Sequence, residues 1–185
     1  MSEIKRITTP LSDDVVCELF AGDKVLINGE IYTARDAAHK RLVELINKGE
    51  PLPFDIKGAV IYYVGPAPAK PGQVMNSAGP TTSGRMDPYS PTLIESGLKG
   101  MIGKGERSKA VVDAMVRYKA VYFAATGGAA ALIAKSVVSA DLVAYPELGA
   151  EAVYRLVVKD FPAYVAQDCH GGNLYEEGKR KYAIK

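Results

Sequence analysis

Cysteine is scarce in this sequence, and neither a long apolar run nor a charge excess is present. Only Cys17 and Cys169 occur, far apart in the chain, in unlike contexts and without C-x-x-C spacing. Two thiols cannot alone supply the usual four ligands of a structural zinc or iron–sulfur site. Nothing else points to secretion, so two reduced thiols are expected rather than a disulfide. No apolar stretch approaches the ~20 residues of a membrane span. The opening Met1-Ser-Glu-Ile-Lys-Arg6 carries charge but no apolar signal-peptide core, and a cytoplasmic location is expected. With 23 basic and 21 acidic residues the formal net charge is +2. That near-balance argues against a nucleic-acid or membrane-surface partner, while leaving room for a locally basic pocket.

What is present is enough chain, 185 residues, for one domain with a well-buried core. Internal repeats, low-complexity blocks and long linkers are not found. Lys24 to Thr33 reads as a β-hairpin, because Asn28-Gly29 is the preferred pair for a type I′ turn and both flanks are rich in β-formers. A helix is expected from about Ala34 to Asn47, with Thr33 as N-cap and Asp36 completing a capping box. Ala38, Leu42, Leu45 and Ile46 share its apolar face, and Gly49 and Pro51 end it. Strands are expected at 59–64, 99–103, 120–125 and 142–145, and two more at 153–159 and 163–167, joined at Phe161-Pro162. Helices are expected after Ser90-Pro91 up to Gly97, over 108–118 and over 129–136, the last opened by Gly127-Gly128. Helices alternating with short buried strands, and hairpin-like strands at both ends, suggest a layered α/β domain with a mixed sheet.

The densest polar segment is Asn76-Ser-Ala-Gly-Pro-Thr-Thr-Ser-Gly-Arg-Met-Asp87, which follows the apolar run Ala59 to Val64. Thr81 and Arg85 are four apart, Gly84 lets the backbone turn, and an arginine can hold a carboxylate through two parallel hydrogen bonds. The alternative is a turn stabilised by its own hydroxyls. Arg35 falls in the first turn of its expected helix, where the macrodipole disfavours a cation unless an anion sits between them; otherwise it pairs with Asp36 or points into water. Lys104 lies between Gly103 and Gly105 at a strand end, where α/β sheets commonly face ligands; it can equally be an exposed turn lysine. A P-loop does not fit, since position 98 is Leu and position 105 is Gly. Gly127-Gly128 can bind an anion or permit close packing, and packing is favoured. His39 is expected to be solvated or to support a helix cap. His170, in a turn after the last strand, has no metal partner at usable spacing, and neither histidine forms a triad with a recognisable nucleophile. Lys179-Arg-Lys181 reads as a solvated tail.

Taken together, seven segments resemble the β-subunit, or C-terminal domain, of the class I iron–sulfur hydro-lyases, fumarate hydratase and L(+)-tartrate dehydratase. They are Gly22-Asp-Lys-Val25, Tyr32-Thr-Ala-Arg-Asp-Ala-Ala-His-Lys-Arg41, Gly79-Pro-Thr-Thr-Ser-Gly-Arg-Met-Asp87, Gly103-Lys-Gly105, Thr126-Gly-Gly128, Tyr145-Pro-Glu-Leu-Gly149 and Asp160-Phe-Pro-Ala163. They span about the whole chain in order; the two longer motifs are specific, the shorter ones weak alone. The resemblance implies a swivelling β/β/α layered domain with a mixed central sheet. That domain closes over a [4Fe–4S] cluster held by a cysteine-bearing alpha subunit, with no cofactor bound by this chain itself. It implies Arg35 and Arg85 as substrate contacts, Thr81 as candidate base or substrate-orienting hydroxyl, and Lys104 as a further cationic, catalytic contact.

Those residue types suit removal of water from a 2-hydroxy dicarboxylate. Negative charge builds on the carboxylate next to the weakly acidic C–H, and cations placed in advance stabilise it by a few kcal/mol each. Reversible hydration of fumarate to L-malate is the leading expectation, tartrate dehydration the alternative, and a stand-alone dicarboxylate-binding module the reading from another class. Homodimer and heterotetramer are both left open.

Overall fold

The computed structural model describes residues 3–66, 71, 74–125 and 130–183. Its frame is a seven-stranded mixed sheet: β1 (Ile4–Thr8), β2 (Lys24–Thr33), β3 (Val60–Tyr62), β4 (Gly100–Gly103), β5 (Val121–Ala124), β6 (Val137–Ala144) and β7 (Val153–Gln167). β1 to β5 run parallel to their neighbours, whereas β7 runs antiparallel to both β5 and β2. Because β7 pairs on two sides, β2-β3-β4-β5-β7 closes into a ring, with β1 outside β2 and β6 outside β7. The mixed sheet is as the sequence suggests; the closed, barrel-like arrangement is not visible in the sequence.

Strand alternation divides the core in two. Successive side chains on a strand point to opposite faces. Val60, Tyr62 and Val64 therefore pack with Ile27, Ile31, Phe123 and Phe161 inside the ring. Ile61 and Tyr63 face outward, with Met101 and Tyr122, against the helices. Those helices are α2 (Asp36–Lys48), α3 (Ser90–Glu95) and α4 (Lys109–Tyr118), which bury Leu42, Leu93 and Met115 on this face. Each fully buried Leu or Met stabilises the fold by roughly 1.5–3 kcal/mol relative to exposure. The remaining helices are α1 (Asp13–Cys17), α5 (Ala130–Lys135) and α6 (Leu174–Tyr182). Among the described residues, no helix is long and apolar enough to cross a membrane.

Three sequence expectations need correction. Asn28-Gly29 is not a hairpin turn. β2 runs straight through it as one strand, and Gly29, at φ 99°, is a bulge where the register with β7 shifts. A Cβ at Gly29 would sit 2.6 Å from Thr9 Oγ1, so glycine is required there for space as well as φ. Facing it, β7 is likewise one strand, not two. Pro162 pairs with Leu26, and the break is only a bend at Asp160, φ 50°, whose N–H donates to Asn28 Oδ1 at 2.9 Å. Lys179 to Lys181 belong to the last turn of α6, where cations suit the helix C-terminus, and Lys179 pairs with Glu106 at 2.7 Å. Gly127-Gly128 and Thr126 lie outside the described residues. Two smaller differences concern length and start: β6 begins at Val137, well before 142, and Ser90 is already inside α3, its Oγ donating to Met86 O.

Candidate active site

The strand ends of β2, β3 and β4 bring the candidate residues together. After β2 the chain turns at Ala34, whose N–H donates to Tyr62 O at the end of β3. Arg35 is thus the N-cap residue of α2, in extended conformation, rather than a first-turn residue. Thr33 does not cap the helix. It is buried, donating to Ala152 O and accepting from Tyr154 N. The free end of α2 is met from elsewhere: Ala37 N donates to Glu151 Oε2 at 3.4 Å, and an acid is the sign the helix dipole favours there. At the other end Gly49 adopts the left-handed cap expected from the sequence.

Arg35 packs against Gly65; a Cβ there would approach its Nη1 to 2.8 Å. Its Nη2 pairs with Glu151 at 3.3 Å, while its Nε stays 3.8 Å from Asp36 Oδ2. Both of those latter atoms are buried without a hydrogen-bond partner among the described residues. The other oxygen of Asp36 accepts from Arg85 Nε at 2.8 Å. Asp36 therefore ties Arg85 to the start of α2, beside the N-cap residue Arg35. Arg35 keeps 22% of its side chain exposed and Arg85 52%, so both guanidiniums remain reachable from solvent.

Thr81 and Lys104 are joined through their backbones. Thr81 N donates to Tyr63 O at 2.7 Å, Lys104 N donates to Thr81 O at 3.4 Å, and Ser83 N donates to Lys104 O at 2.9 Å. The segment 80–83 thus continues the edge opened by β3 and β4, with bridges Val64–Pro80 and Thr82–Lys104. Gly103 is needed for this approach, since a side chain there would collide with Ser83 Oγ. Lys104 is exposed, and its ammonium pairs with no carboxylate among the described residues. The four candidates fall into two sub-groups: Arg35 with Arg85 through Asp36, and Thr81 with Lys104 through the backbone.

A buried scaffold holds the polar segment from beneath. Arg107, with its side chain fully buried, donates from Nε to Asp87 Oδ1 at 2.7 Å and from Nη2 to Ser90 Oγ at 2.7 Å. Its guanidinium lies over the rings of Tyr63 and Tyr122 at 5.3 and 5.1 Å. Asp87 also accepts from Ser108 N, and Ser83 Oγ bonds Tyr122 OH at 2.8 Å. Burial raises the Tyr122 hydroxyl far above its ordinary pKa, so it stays protonated and donates to Gly105 O. His39 is not solvated: it is wholly buried, its Nδ1 2.9 Å from Arg35 O and its ring edge-on to Tyr63. It supports the cap, as the sequence allowed. Burial lowers its pKa to about 4, so it is a neutral donor to that carbonyl near neutral pH. Arg107, Asp87 and Glu151 are missed by sequence reading. Glu151 lies 114 residues from the helix end it serves, and no local spacing announces Arg107 as a buried cation.

Fold and site define a class: a mixed α/β barrel-like domain with a basic cluster at its strand ends. The chain belongs to the fumarase C-terminus family, whose model matches residues 3–178. It is 42% identical over 158 residues to fumarate hydratase 2 of Leishmania major, covering 84% of this chain and 28% of that protein. Its similarity to the aerobic class I fumarate hydratase of Escherichia coli K12 is also 42%, over 83% of this chain and 28% of the relative. A Methanocaldococcus jannaschii protein, named provisionally as an L(+)-tartrate dehydratase subunit beta, is 43% identical over 90% of this chain and 88% of its own length. The chain thus spans little more than a quarter of the fumarate hydratases it matches, but nearly all of the separate subunit.

Proposed function

We propose that this chain is the beta subunit of a class I hydro-lyase, and that it supplies the dicarboxylate-binding and proton-transfer groups for reversible hydration of fumarate to L-malate. The observation that carries the proposal is Asp36 holding Arg85 at the helix start capped by Arg35, with Thr81 and Lys104 joined to each other through their backbones. A guanidinium can grip a carboxylate by paired hydrogen bonds, and of the two here Arg85 is exposed and Arg35 half-buried. An ammonium beside them stabilises the charge that grows on the substrate carboxylate as its neighbouring carbon loses a proton. Thr81, joined to Lys104 through the backbone, orients the substrate or takes that proton; a cation nearby favours its alkoxide.

The site is half of an active site on this reading. A [4Fe–4S] cluster takes four thiolate ligands in its common form, and Cys17 and Cys169 are only two. Among the described residues no group of three or more His, Cys, Asp or Glu side chains is arranged to hold a metal. The proposed cluster belongs on a cysteine-bearing alpha subunit, where its iron would supply the Lewis acid for departure of the hydroxyl group. The domain would swivel as a β/β/α layer to close over that subunit in the cytoplasm. The M. jannaschii relative is named as a subunit beta, which supports the subunit reading and makes L(+)-tartrate the second substrate to try.

The test is reconstitution with the alpha subunit and kinetics on fumarate, L-malate and L(+)-tartrate. Arg35→Ala, Arg85→Ala and Lys104→Ala are each expected to lower kcat/KM by roughly 100-fold or more while the subunit stays folded. Near-normal kinetics in all three would overturn the assignment.

A further inference from the structure

The sequence places its two cysteines 152 positions apart, but the fold brings them into contact, Sγ to Sγ at 3.9 Å. Cys17 is the last residue of α1 and is partly exposed; Cys169 follows β7 and is buried. Both backbones are clamped. Asp168 accepts from Ala21 N at 2.7 Å with one oxygen, and with the other from His170 N at 2.9 Å and Gly172 N at 2.8 Å. The His170 ring stacks on Phe20 at 4.7 Å and 13°, and its Nε2 is 2.9 Å from Cys17 O and 3.7 Å from Cys169 Sγ. The loops that carry the two sulfurs are thus fastened to each other on either side of them. Two sulfurs held this way are poised to bond: closing to the ~2.05 Å of a disulfide asks each to move about 1 Å, a χ1 rotation of roughly 30–35°.

We propose that Cys17 and Cys169 form a site of reversible oxidation, a dithiol that a hydroperoxide converts to an intramolecular disulfide. Cys17, the more exposed sulfur, attacks the peroxide as thiolate. The O–O bond breaks, an S–O bond forms, and one water leaves, giving a sulfenic acid on Cys17. The Cys169 sulfur then attacks the Cys17 sulfur. The S–S bond forms, the S–O bond breaks, and the departing hydroxide leaves as a second water with the Cys169 proton. The two thiols lose two electrons in all, and one hydrogen peroxide becomes two waters. Burial raises the Cys169 thiol to about 11, which makes it the resolving rather than the attacking partner. The disulfide would fasten α1 and the lead into β2 to the end of β7, whereas Arg35 follows the opposite end of β2. The inference does not depend on the proposed hydro-lyase activity.

The full chain is treated with a small excess of hydrogen peroxide, and its thiols are counted before and after. The expected result is that both thiols disappear together in a monomeric product two hydrogens lighter. Its proteolytic map contains the Cys17 and Cys169 peptides linked, and dithiothreitol restores both thiols. The melting temperature of the oxidised form should rise by roughly 5–10 °C, as a cross-link closing so long a loop constrains the unfolded chain. Cys17→Ser should leave the buried Cys169 thiol titratable after the same exposure, whereas Cys169→Ser should stop with oxygen added to Cys17 and no cross-link. Persistence of both thiols in the wild type, over-oxidation of Cys17 without a link, or links only between separate copies would each overturn the proposal.

Discussion

Arg85 Nε donates to Asp36 Oδ1 at 2.8 Å, although 49 positions separate the two residues. The other oxygen of that carboxylate stands 3.8 Å from Arg35 Nε, while Arg35 Nη2 pairs with Glu151 at 3.3 Å, so Asp36 orients Arg85 directly and adds its charge beside Arg35. Asp36→Asn removes the charge that orients Arg85 and lies beside Arg35, while keeping a similar shape. In the reconstituted enzyme KM for the dicarboxylate should rise about ten-fold, one factor of ten being ~1.4 kcal/mol of binding, with kcat changed little. The subunit should lose under ~1 kcal/mol of stability, since the Arg85 side of the pair is half exposed and contributes little. A lower KM in steady-state kinetics would mean that Asp36 competes with substrate instead of aligning its receptors.

Arg107 and Asp87 are a different kind of pair, since the arginine side chain has no exposed surface. Breaking a buried pair leaves a charge without its partner, at ~3–5 kcal/mol. Arg107→Met should therefore lower the melting temperature by roughly 6–20 °C at this chain length. Thermal unfolding followed by circular dichroism checks this; the double variant Arg107→Met with Asp87→Asn should recover part of the loss.

Acid should weaken the subunit through His39. Burial lowers its folded pKa to about 4 from an ordinary 6.5, so the unfolded chain binds the extra proton first as pH falls. Stability from this residue is complete above about pH 6.5, falls between there and pH 4, and levels off below. At pH 4.5 the loss is about 2–3 kcal/mol relative to pH 7. Chemical denaturation at the two pH values should show His39→Gln losing less between them than the wild type does; equal losses would locate the acid sensitivity elsewhere.

Short buried strands ended by polar turns, and helices ended by Gly49 and Gly97, were legible because each depends on neighbours in sequence. Asn28-Gly29 misleads because a positive φ serves a bulge as well as a hairpin turn; only the strand opposite decides which. Phe161-Pro162 misleads because proline breaks a ladder only where its N–H is needed, and β7 carries it beside Leu26 without interruption. Within the site, Arg35, Thr81, Arg85 and Lys104 were named from residue type and local spacing. The acids that hold the arginines, and the buried Arg107 beneath them, come from distant positions, where the chain leaves no periodic trace. The closeness of Cys17 to Cys169 was illegible for the same reason.

β7 is the strand through which the ring closes, and it is synthesised after the six other strands. A nascent chain that ends before Val153 has β2 and β5 with their pairing edges open and no partner for either. The arginine and lysine cluster is already synthesised at that stage, but the barrel beneath it cannot yet exist. Closure of this domain therefore waits for β7, and the unclosed intermediate is the species that a chaperone would have to shield from edge-to-edge association.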